Sequence, residues 1–315
     1  YKRQAGRGSR LKTITEARSK AMIPIVGKPI VERVMTPLIS NGIKDFIMVA
    51  NPNDHHLRTH FNGGDRLGIN IKFVFQDHPK GTAHALNSAA PYLHQDFIIS
   101  ACDNLVPTAH IAELINTWND DQPLNGILSL MLVEKTNISR TALVELENNF
   151  VTRIIEKPIM DLAPSNISSI PFYCFSTRIL KYLRDVPLSE RGEYELQDAI
   201  QKMITHKGFV RGEFAKCRLT VTCPDDLLSV NLWYFNQYKR QIEKIPENVS
   251  LNSNFISPVH IEDGSIIGQN CLIGPNVFIE SKSIIEDFVT IKDSVILQGA
   301  RVLQGSTIKN QIIVS

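Results

Sequence analysis

The C-terminal part of the chain carries an aliphatic side chain at every sixth position, and most positions two residues earlier hold a small or β-branched side chain. A period of six fits neither a helix nor the alternation of an ordinary strand. It is typical of a parallel β-helix in which three hexapeptides form one triangular coil. We therefore predict nearly three coils of a left-handed parallel β-helix within residues 245–315, with the period ending at Lys309. The aliphatic residues are Ile261, Ile267, Ile273, Ile279, Ile285, Ile291, Leu297 and Leu303, and the earlier residues are Val259, Ser265, Cys271, Val277, Ser283, Val289 and Val295.

Upstream of this repeat, short apolar runs alternate with amphipathic ones. The alternation predicts a Rossmann-like α/β domain over residues 1–244, with a mostly parallel sheet and helices on both of its faces. Ligands of such sheets bind beyond the carboxyl ends of the strands, so residues that directly follow a strand are candidate site residues. Strands are predicted over residues 45–51, 71–76, 96–102, 126–134, 141–147, 151–156, 170–176, 208–213 and 218–222, and helices over residues 30–39, 55–61, 82–93, 191–206 and 224–244.

The composition has no strong charge bias. The 315 residues are 43% hydrophobic and carry a formal net charge of +2, so nothing global indicates a nucleic-acid or anionic-membrane partner. No run reaches the ~18 apolar residues of a membrane span, and no signal peptide opens the sequence, so we expect a cytoplasmic protein with no membrane partner. The five cysteines lack CxxC spacing, which predicts buried free thiols rather than disulfides or a zinc site.

Residues 5–29 form a segment rich in glycine and basic residues that fits no helix or strand period. Gly6 and Gly8 allow backbone N–H groups to approach phosphate oxygens. Arg10 supplies a planar guanidinium and Lys20 a mobile ammonium. This predicts a phosphate-binding loop, although a G-x-G-x-x-R pattern alone also fits an ordinary turn with solvated bases.

Residues 1–4 bear on where this loop begins. A phosphate loop normally follows a buried strand, and these four residues are too few and too polar to form one. We expect either that the sequence starts after this strand or that residues are missing between Gln4 and Ala5. The C–N distance between those two residues would distinguish the alternatives.

Two candidate sites follow predicted strands. Gln76 ends one strand, and the turn after it contains Gly81, for close backbone approach, and Thr82, as a helix N-cap. The Gln76 amide could read a nucleobase edge, or the segment could be only a capped turn. Asp103 follows the next strand, and near a phosphate loop this carboxylate would need a divalent cation such as Mg²⁺. The alternative for Asp103 is a helix cap. We assign no chemistry to His84.

Four further charged residues also lie beside predicted element ends. Glu156 and Lys157 precede Pro158 at a strand end, where the proline is expected to keep Lys157 extended and direct its ammonium into a cleft. The same tripeptide also fits a surface turn. Glu193 and Glu195 could accept hydrogen bonds from sugar hydroxyls, or they could only complement the dipole of the helix that they open.

Five motifs in this order resemble those of the sugar nucleotidyltransferase family, also called the NDP-sugar pyrophosphorylases. The resemblance runs from Ala5 to about Asn231. It is closest to the glucose-1-phosphate thymidylyl- and uridylyltransferases and their N-acetylglucosamine-1-phosphate relatives. The motifs are AGRGSRL with IPIVGKP in residues 5–29, a glutamine followed by GTA in residues 76–83, a strand followed by Asp103-Asn104, IIEKP in residues 154–158, and GEYELQDAI in residues 192–200.

The resemblance implies that a sugar 1-phosphate attacks the α-phosphate of a nucleoside triphosphate, giving a nucleotide sugar and pyrophosphate. The attacking oxygen is already ionised at neutral pH, so catalysis would depend on positioning and charge neutralisation rather than on a general base. The family pattern assigns the catalytic contacts with the triphosphate to Arg10 and Lys20, nucleotide binding to Ala5, Gly6, Gly8, Gln76, Gly81 and Thr82, Mg²⁺ to Asp103, and the sugar phosphate to Glu156, Lys157 and Glu193.

Four positions depart from the family pattern. Ser19 stands where a proline usually precedes the loop lysine, and Pro171 stands where a glycine is usual. In the W-x-D-I-G-T-P-E-D motif, Arg218 occupies the tryptophan position and Thr220 the position of a second Mg²⁺-binding aspartate. Either Asp103 and the phosphates suffice for Mg²⁺, or the chain is a catalytically weak, nucleotide-sugar-binding regulatory homologue.

The β-helix suggests a third function, because acyltransferases often contain hexapeptide helices of this kind. Those enzymes typically need a catalytic histidine and a groove for acyl-CoA. His260 is the only histidine after His206, and the repeat is short. We therefore favour a structural β-helix that packs on the first domain and joins subunits into a homo-oligomer.

Overall fold

The computed structural model describes residues 11–16, 18–120, 123–159, 163–238, 244–246 and 252–315. They form two compact units, of which the first is Val34–Leu219 and the second joins the described residues up to Arg33 to Thr220–Ser315. The segment that contains Lys20 therefore belongs to the same unit as the C-terminal repeat. The predicted division at residue 244 does not follow this grouping.

The five predicted helices form, apart from differences at their ends, whereas the helices Lys12–Thr15 and Thr108–Asp120 were not predicted. The predicted helix over residues 82–93 changes to a 3-10 turn after Ala89, because Pro91 lacks a backbone N–H. The helix predicted from residue 191 begins only at Leu196. The α-helices are α1 Lys12–Thr15, α2 Ile30–Ser40, α3 His55–Phe61, α4 Thr82–Ala89, α5 Thr108–Asp120, α6 Leu196–Thr205 and α7 Pro224–Gln237, and the 3-10 segments are Lys20–Met22, Asn62–Leu67, Ala90–Tyr92, Lys135–Arg140 and Thr177–Asp185.

Strands form at nearly all of the predicted places. The exception is residues 218–222, where Leu219 makes only an isolated bridge with Leu105. Asn148 and Asn149 have φ of 50° and 67° and form the tight turn between the strands Ala142–Glu147 and Phe150–Glu156. The first ten strands are β1 Pro24–Ile25, β2 Lys28–Pro29, β3 Asp45–Ala50, β4 Asn70–Phe75, β5 Phe97–Ser100, β6 Gly126–Leu132, β7 Ala142–Glu147, β8 Phe150–Glu156, β9 Ile167–Phe175 and β10 Val210–Phe214.

The first unit is an α/β structure whose main sheet is mixed. Its strands lie in the order β5-β9-β6-β10-β8-β7. β6 and β10 are parallel, and β3 and β4 form a separate parallel pair. β9, however, lies antiparallel between β5 and β6, and β8 is antiparallel to β7 and β10. The sheet is thus less parallel than predicted, because the β7–β8 hairpin reverses the chain and β9 then inserts between two strands of equal direction.

Helices pack on both faces of this sheet, as predicted. Along β9, Tyr173 and Phe175 share a core with α4 and α6, whereas Phe172 and Cys174 share another with α5. All of these side chains are at most 5% exposed. Burial of each large apolar side chain stabilises the fold by roughly 1.5–3 kcal/mol, so β9 is central to the stability of the unit.

The C-terminal repeat forms three stacked parallel sheets, consistent with a β-helix. Val259 pairs with Val277, and Ile267 with Ile285, so the first complete coil takes eighteen residues. The inward aliphatic residues form one continuous core. The strands are β11 Asn254–Phe255, β12 Val259–Ile261, β13 Ile266–Ile267, β14 Leu272–Ile273, β15 Val277–Ile279, β16 Ile284–Ile285, β17 Thr290–Lys292, β18 Ser294–Ile296, β19 Arg301–Val302, β20 Thr307–Lys309 and β21 Ile312–Ile313.

The strict six-residue period fails after Ile291, earlier than predicted. Val277 pairs with Ser294, so the next coil takes seventeen residues. Ile296 and Val302 then occupy the inward positions predicted for Leu297 and Leu303, and Leu303 is 63% exposed. The chain drops one residue at the corner formed by Asp293, whose φ is 48°. The inward pattern continues beyond the Asp293 corner, because Ile308 still packs against the core. The repeat therefore does not end at Lys309.

Candidate functional site

The predicted site residues fall in both units. Ala5, Gly6, Gly8 and Arg10 lie outside the described residues. Lys20 begins the 3-10 segment Lys20–Met22 in the second unit. The other predicted site residues belong to the first unit, where they form three neighbouring groups.

The first group joins the start of α4 to the chain before α6. Gly81 has a φ of 108° and lies against Tyr194, so that a Cβ on Gly81 would come within 2.4 Å of the Tyr194 carbonyl oxygen. Tyr194 N donates to Lys80 O at 2.8 Å, and Ala83 N donates to Tyr194 O at 2.9 Å. The close backbone approach predicted at Gly81 is therefore made with the protein's own chain.

Thr82 and Gln76 complete this first group. Thr82 is the first residue of α4 rather than its N-cap, which is Gly81. The Thr82 hydroxyl instead accepts a hydrogen bond from Leu196 N at 3.0 Å, at the start of α6. The Gln76 amide nitrogen contacts His84 Nδ1, and the His84 ring stacks on Tyr194. His84, to which the sequence analysis assigned no chemistry, thus holds the amide that would read a base.

The second group lies at the end of β8. Glu156 is the last residue of β8, and its Oε1 is 3.0 Å from Lys157 Nζ. Lys157 has a φ of 44°, so Pro158 does not keep it extended as predicted. The chain turns here because Lys157 N still donates to Thr141 O at 3.1 Å, beside the last β7–β8 pair. The Lys157 side chain is 41% exposed, so its ammonium is accessible to a ligand although it pairs with Glu156.

Arg191 forms ion pairs with two carboxylates of the second group. Its Nη2 is 3.5 Å from Glu156 Oε1 and 2.5 Å from Glu195 Oε1. Glu195 is 4% exposed and also accepts a hydrogen bond from the Ser189 hydroxyl at 3.2 Å. Burial, followed by the charge of Glu195, raises the pKa of Glu193 above its usual value. Glu156, Lys157 and Glu193 therefore lie together with Glu195, which the sequence also offered as an acceptor for sugar hydroxyls, and with Arg191, which was not predicted.

The third group surrounds Asp103, which follows β5 and is 8% exposed. The next residue, Asn104, is fully buried and accepts a hydrogen bond from Arg218 Nε at 2.6 Å. Leu105 and Leu219 exchange two backbone hydrogen bonds of 2.9 Å beside this contact. Burial lowers the pKa of Arg218, while the charge of Asp103 opposes that shift. Asp103 is thus not a helix cap, and it lies in the field of a guanidinium.

Tyr173 of β9 connects the second and third groups. It is 1% exposed, and its hydroxyl lies 2.7 Å from Ser169 Oγ. Burial raises the pKa of Tyr173; the charge of Glu156 also raises it, and that of Arg218 lowers it. Charged residues of both groups are therefore within electrostatic reach of one phenol. Tyr194 belongs to the first group and directly follows Glu193, so the backbone links the first group to the second within the first unit.

The residues around Asp103 restrict how a metal could bind. Within the described ranges, no three His, Cys, Asp or Glu side chains converge on a common point. Asp103 offers one carboxylate, and Arg218 already provides positive charge nearby. Mg²⁺ is often held by one or two carboxylates plus substrate phosphates. The residues present fit a Mg²⁺ ion that arrives with phosphate ligands, and they do not form a complete protein cage.

Other parts of the structure bear on the remaining predictions. His260 packs against Gly27 and its pKa falls to about 4, chiefly through burial. None of the five cysteines, all of which lie in the described ranges, forms a disulfide. Only Cys174 and Cys271 are buried as predicted, whereas Cys102 and Cys223 are half-buried and Cys217 is exposed. No helix in the described part of the chain combines the length and apolar character needed to cross a membrane.

Comparison with known proteins adds two family matches. The family described as Nucleotidyl transferase matches residues 4–215. The family described as GMPPB C-terminal domain matches residues 255–315. The first match covers all the predicted site residues, and the second covers most of the C-terminal repeat.

Curated relatives are similar at moderate identity. The chain is 29% identical over 268 residues to Bifunctional protein GlmU of Methanococcus maripaludis, covering 84% of this chain and 61% of the relative. It is 30% identical over 202 residues to UTP–glucose-1-phosphate uridylyltransferase AglF of Haloferax volcanii, covering 64% of this chain and 81% of the relative. The chain thus spans only about three fifths of the length of GlmU.

Solved structures share the fold. UDP-glucose pyrophosphorylase complexed with UDP-glucose matches with a TM-score of 0.66 and 20% identity, covering 74% of this chain and 97% of that protein. UDP-glucose pyrophosphorylase from Acinetobacter baumanii matches with a TM-score of 0.62 and 21% identity, covering 74% and 92%. At these identities the likeness extends to the fold alone.

Proposed function

Because the chain belongs to the Nucleotidyl transferase family, we propose that it is a sugar-1-phosphate nucleotidylyltransferase. It transfers UMP or dTMP from a nucleoside triphosphate to a hexose 1-phosphate, in the cytoplasm. A phosphate oxygen of the sugar forms a bond to the α-phosphorus, the bond to the β-phosphate breaks, and pyrophosphate leaves. The uridylyltransferase named among its relatives supports this substrate class.

The observation that carries this proposal is the arrangement around Tyr173. Glu156 and Arg218, which lies near Asp103, are both close enough to this buried phenol to shift its pKa in opposite directions. The residues assigned to the sugar and to the metal therefore lie in one region, although they come from chain segments far apart in sequence. A reaction between two phosphate compounds needs this combination of cations and hydroxyl acceptors.

Each group would then have one task. Gln76, held by His84, reads the base, and the chain around Gly81 and Thr82 supports it. The Lys157 ammonium breaks its ion pair with Glu156 and contacts the sugar phosphate. Glu156 and Glu193 then accept hydrogen bonds from sugar hydroxyls. Arg10 and Lys20 contact the triphosphate, with Ala5, Gly6 and Gly8 as backbone donors. Asp103 would hold Mg²⁺, which would neutralise phosphate charge when bound.

Pyrophosphate release tests the proposal. The protein is incubated with Mg²⁺, glucose 1-phosphate or N-acetylglucosamine 1-phosphate, and each of four nucleoside triphosphates in turn. We expect turnover with UTP or dTTP, and a fall of kcat by about a hundredfold or more in Asp103→Asn and in Lys20→Ala, because each removes charge stabilisation. Asp120→Asn, at the exposed end of α5, is the matched control. Wild-type rates in both site variants would refute the assignment.

A second candidate is a regulatory protein that binds nucleotide sugars without turning over substrates. Arg218 beside Asp103 and Thr220 in place of a carboxylate favour it. Its signature would be nucleotide-sugar binding, measured by calorimetry, with no pyrophosphate released from any substrate pair. Restoring the family residues in Arg218→Trp with Thr220→Asp should then produce turnover.

A further inference from the structure

The segment that carries Lys20 is anchored on the C-terminal repeat by the hairpin that follows it. β1 and β2 pair antiparallel through Ile25 and Lys28. The two turn residues between them, Val26 and Gly27, have φ of 44° and 72°, as in the tight turns that join hairpin strands. All of these residues and the repeat lie in the same compact unit.

Two side chains of α7 and α2 fix this turn. The Asn231 side chain is fully buried and accepts a hydrogen bond from Val26 N at 2.8 Å. Arg33 donates to the carbonyls of Ile25 and Val26 at 2.8 and 2.9 Å. Its guanidinium lies 4.5 Å from the centre of the Tyr234 ring. Because every polar backbone group named here has a partner, the turn has little freedom to move relative to α7.

The repeat touches the same turn directly. His260 Nε2 lies 2.4 Å from the position that a Cβ on Gly27 would take, so the imidazole rests on the glycine. His260 points outward from β12, and Phe278 pairs with it on β15 and lies 5.6 Å away between ring centres. Only a glycine permits this contact, which places the hairpin on one face of the repeat.

A second anchor lies on the other side of Lys20 in the sequence. Arg18 forms an ion pair with Glu280, and the two side chains are only 13% and 9% exposed. The second carboxylate oxygen of Glu280 accepts a hydrogen bond from Gln298 N, one coil further, at 2.9 Å. Glu280 thus joins two coils of the repeat to a residue two positions before Lys20.

Glu286 provides an internal comparison. It lies one hexapeptide after Glu280, and its Oε2 accepts a hydrogen bond from Gln304 N at 2.8 Å. Its Oε1 pairs with Arg301 at 2.7 Å, within the repeat itself. The two glutamates therefore make equivalent contacts, except that the partner of Glu280 belongs to the segment that carries Lys20.

We propose that Glu280 is a positioning residue that acts through Arg18 to hold Lys20 in place, so that the C-terminal repeat sets the geometry of the triphosphate contact. The inference rests on the proposed role of Lys20. Removing one partner of a largely buried ion pair leaves the other charge uncompensated, and a small displacement of a phosphate-binding group weakens its function strongly. The hairpin keeps its own anchors, so the expected change is local.

The test compares Glu280→Gln with the matched control Glu286→Gln in the pyrophosphate assay. Glutamine retains an oxygen for the coil-to-coil hydrogen bond but removes the charge that pairs with Arg18. We expect the KM for the nucleoside triphosphate to rise about tenfold in Glu280→Gln, with the KM for the sugar 1-phosphate unchanged. Glu286→Gln should resemble the wild type. The charge swap Arg18→Glu with Glu280→Arg should recover most of the loss.

A double-mutant cycle with Lys20→Ala separates positioning from general damage. If Glu280 acts through Lys20, Glu280→Gln should change nothing further in the Lys20→Ala background. Equal effects of Glu280→Gln in both backgrounds, or no recovery in the charge swap, would overturn the proposal. If no substrate pair turns over, the proposed activity is refuted. The affinity of each variant for UTP, measured by calorimetry, then tests whether Glu280 acts through Lys20. Equal affinities, or no binding, would then overturn it.

Discussion

Arg218 is the residue that most alters the chemistry expected around Asp103. Its hydrogen bond to the fully buried Asn104 and its charge beside Asp103 give this corner a fixed cation of its own. A tryptophan at the same position would provide apolar bulk and no charge. The region around Asp103 is therefore less attractive to a free divalent cation than a lone buried carboxylate would be, because like charges repel in a medium of low polarity.

Gly81 allows a sharp prediction at the same scale. Gly81→Ala should destabilise the protein by about 3 kcal/mol or more, because its φ of 108° strains an L-residue and the new Cβ would clash with the Tyr194 backbone. Gly68→Ala is the matched control, since Gly68 also has a positive φ of 66° but has no atom within 4 Å of the added Cβ. It should cost only about 1 kcal/mol. Urea unfolding measures both, and equal losses would contradict the close contact.

The sequence indicated individual candidate site residues but not the residues that contact them. Asp103, Glu156 and Glu193 could be selected because each follows a strand or precedes a helix. Arg218 could not be matched to Asn104, since 114 residues separate them and only the folded chain joins them. Arg191 carried a weak signal, as a base four residues before Glu195.

Among the structural elements, β12 carries a group that should make stability depend on pH. Burial, with the charges of Lys244 and Arg33, lowers the pKa of His260 from its usual 6.5 to about 4. The unfolded chain therefore takes up a proton between these values that the folded chain does not. Stability should be complete above about pH 6.5 and fall by roughly 2–3 kcal/mol as the pH drops towards 4.

Urea unfolding between pH 4.5 and 7.5 checks this expectation. His260→Gln should have a shallower dependence of unfolding free energy on pH than the wild type. His94→Gln, at an exposed histidine, should leave the slope unchanged. Identical slopes in all three proteins would mean that His260 titrates normally in the folded state.

Elements with a strong period could be predicted, and those set by long-range pairing could not. The apolar run of β9 and the amphipathic pattern of α2 are local, and both elements appear where expected. The direction of β9 is not local, because it depends on which strands flank it. The corner at Asp293 was missed because Leu297 and Leu303 keep the six-residue period by coincidence. Ser294 and Ala300 are fully buried small residues, and their positions indicate the inward rows of the shortened coil.

At the scale of the whole molecule, we propose that copies of the chain associate through the C-terminal repeat. Several of its large apolar side chains are exposed, including Ile266 at 60% and Leu303 at 63%. Light scattering after size exclusion should give a mass above that of one chain. Leu303→Glu should shift it towards the monomer, because a charge disfavours an apolar interface. Thr307→Glu, also exposed on the repeat, is the control, and a monomeric wild type would refute the proposal.

The corner at Asp293 also suggests how such repeats change length. Losing one residue there left the inward rows intact, since Ile279 stacks on Ile296 and Ile285 on Val302. Corners are thus the places where insertions and deletions are tolerated, whereas a deletion inside a strand would turn an inward row to the outside. Coils exchanged with another repeat protein should therefore be joined at a corner. The shortened corner at Asp293 is one such place to join coils.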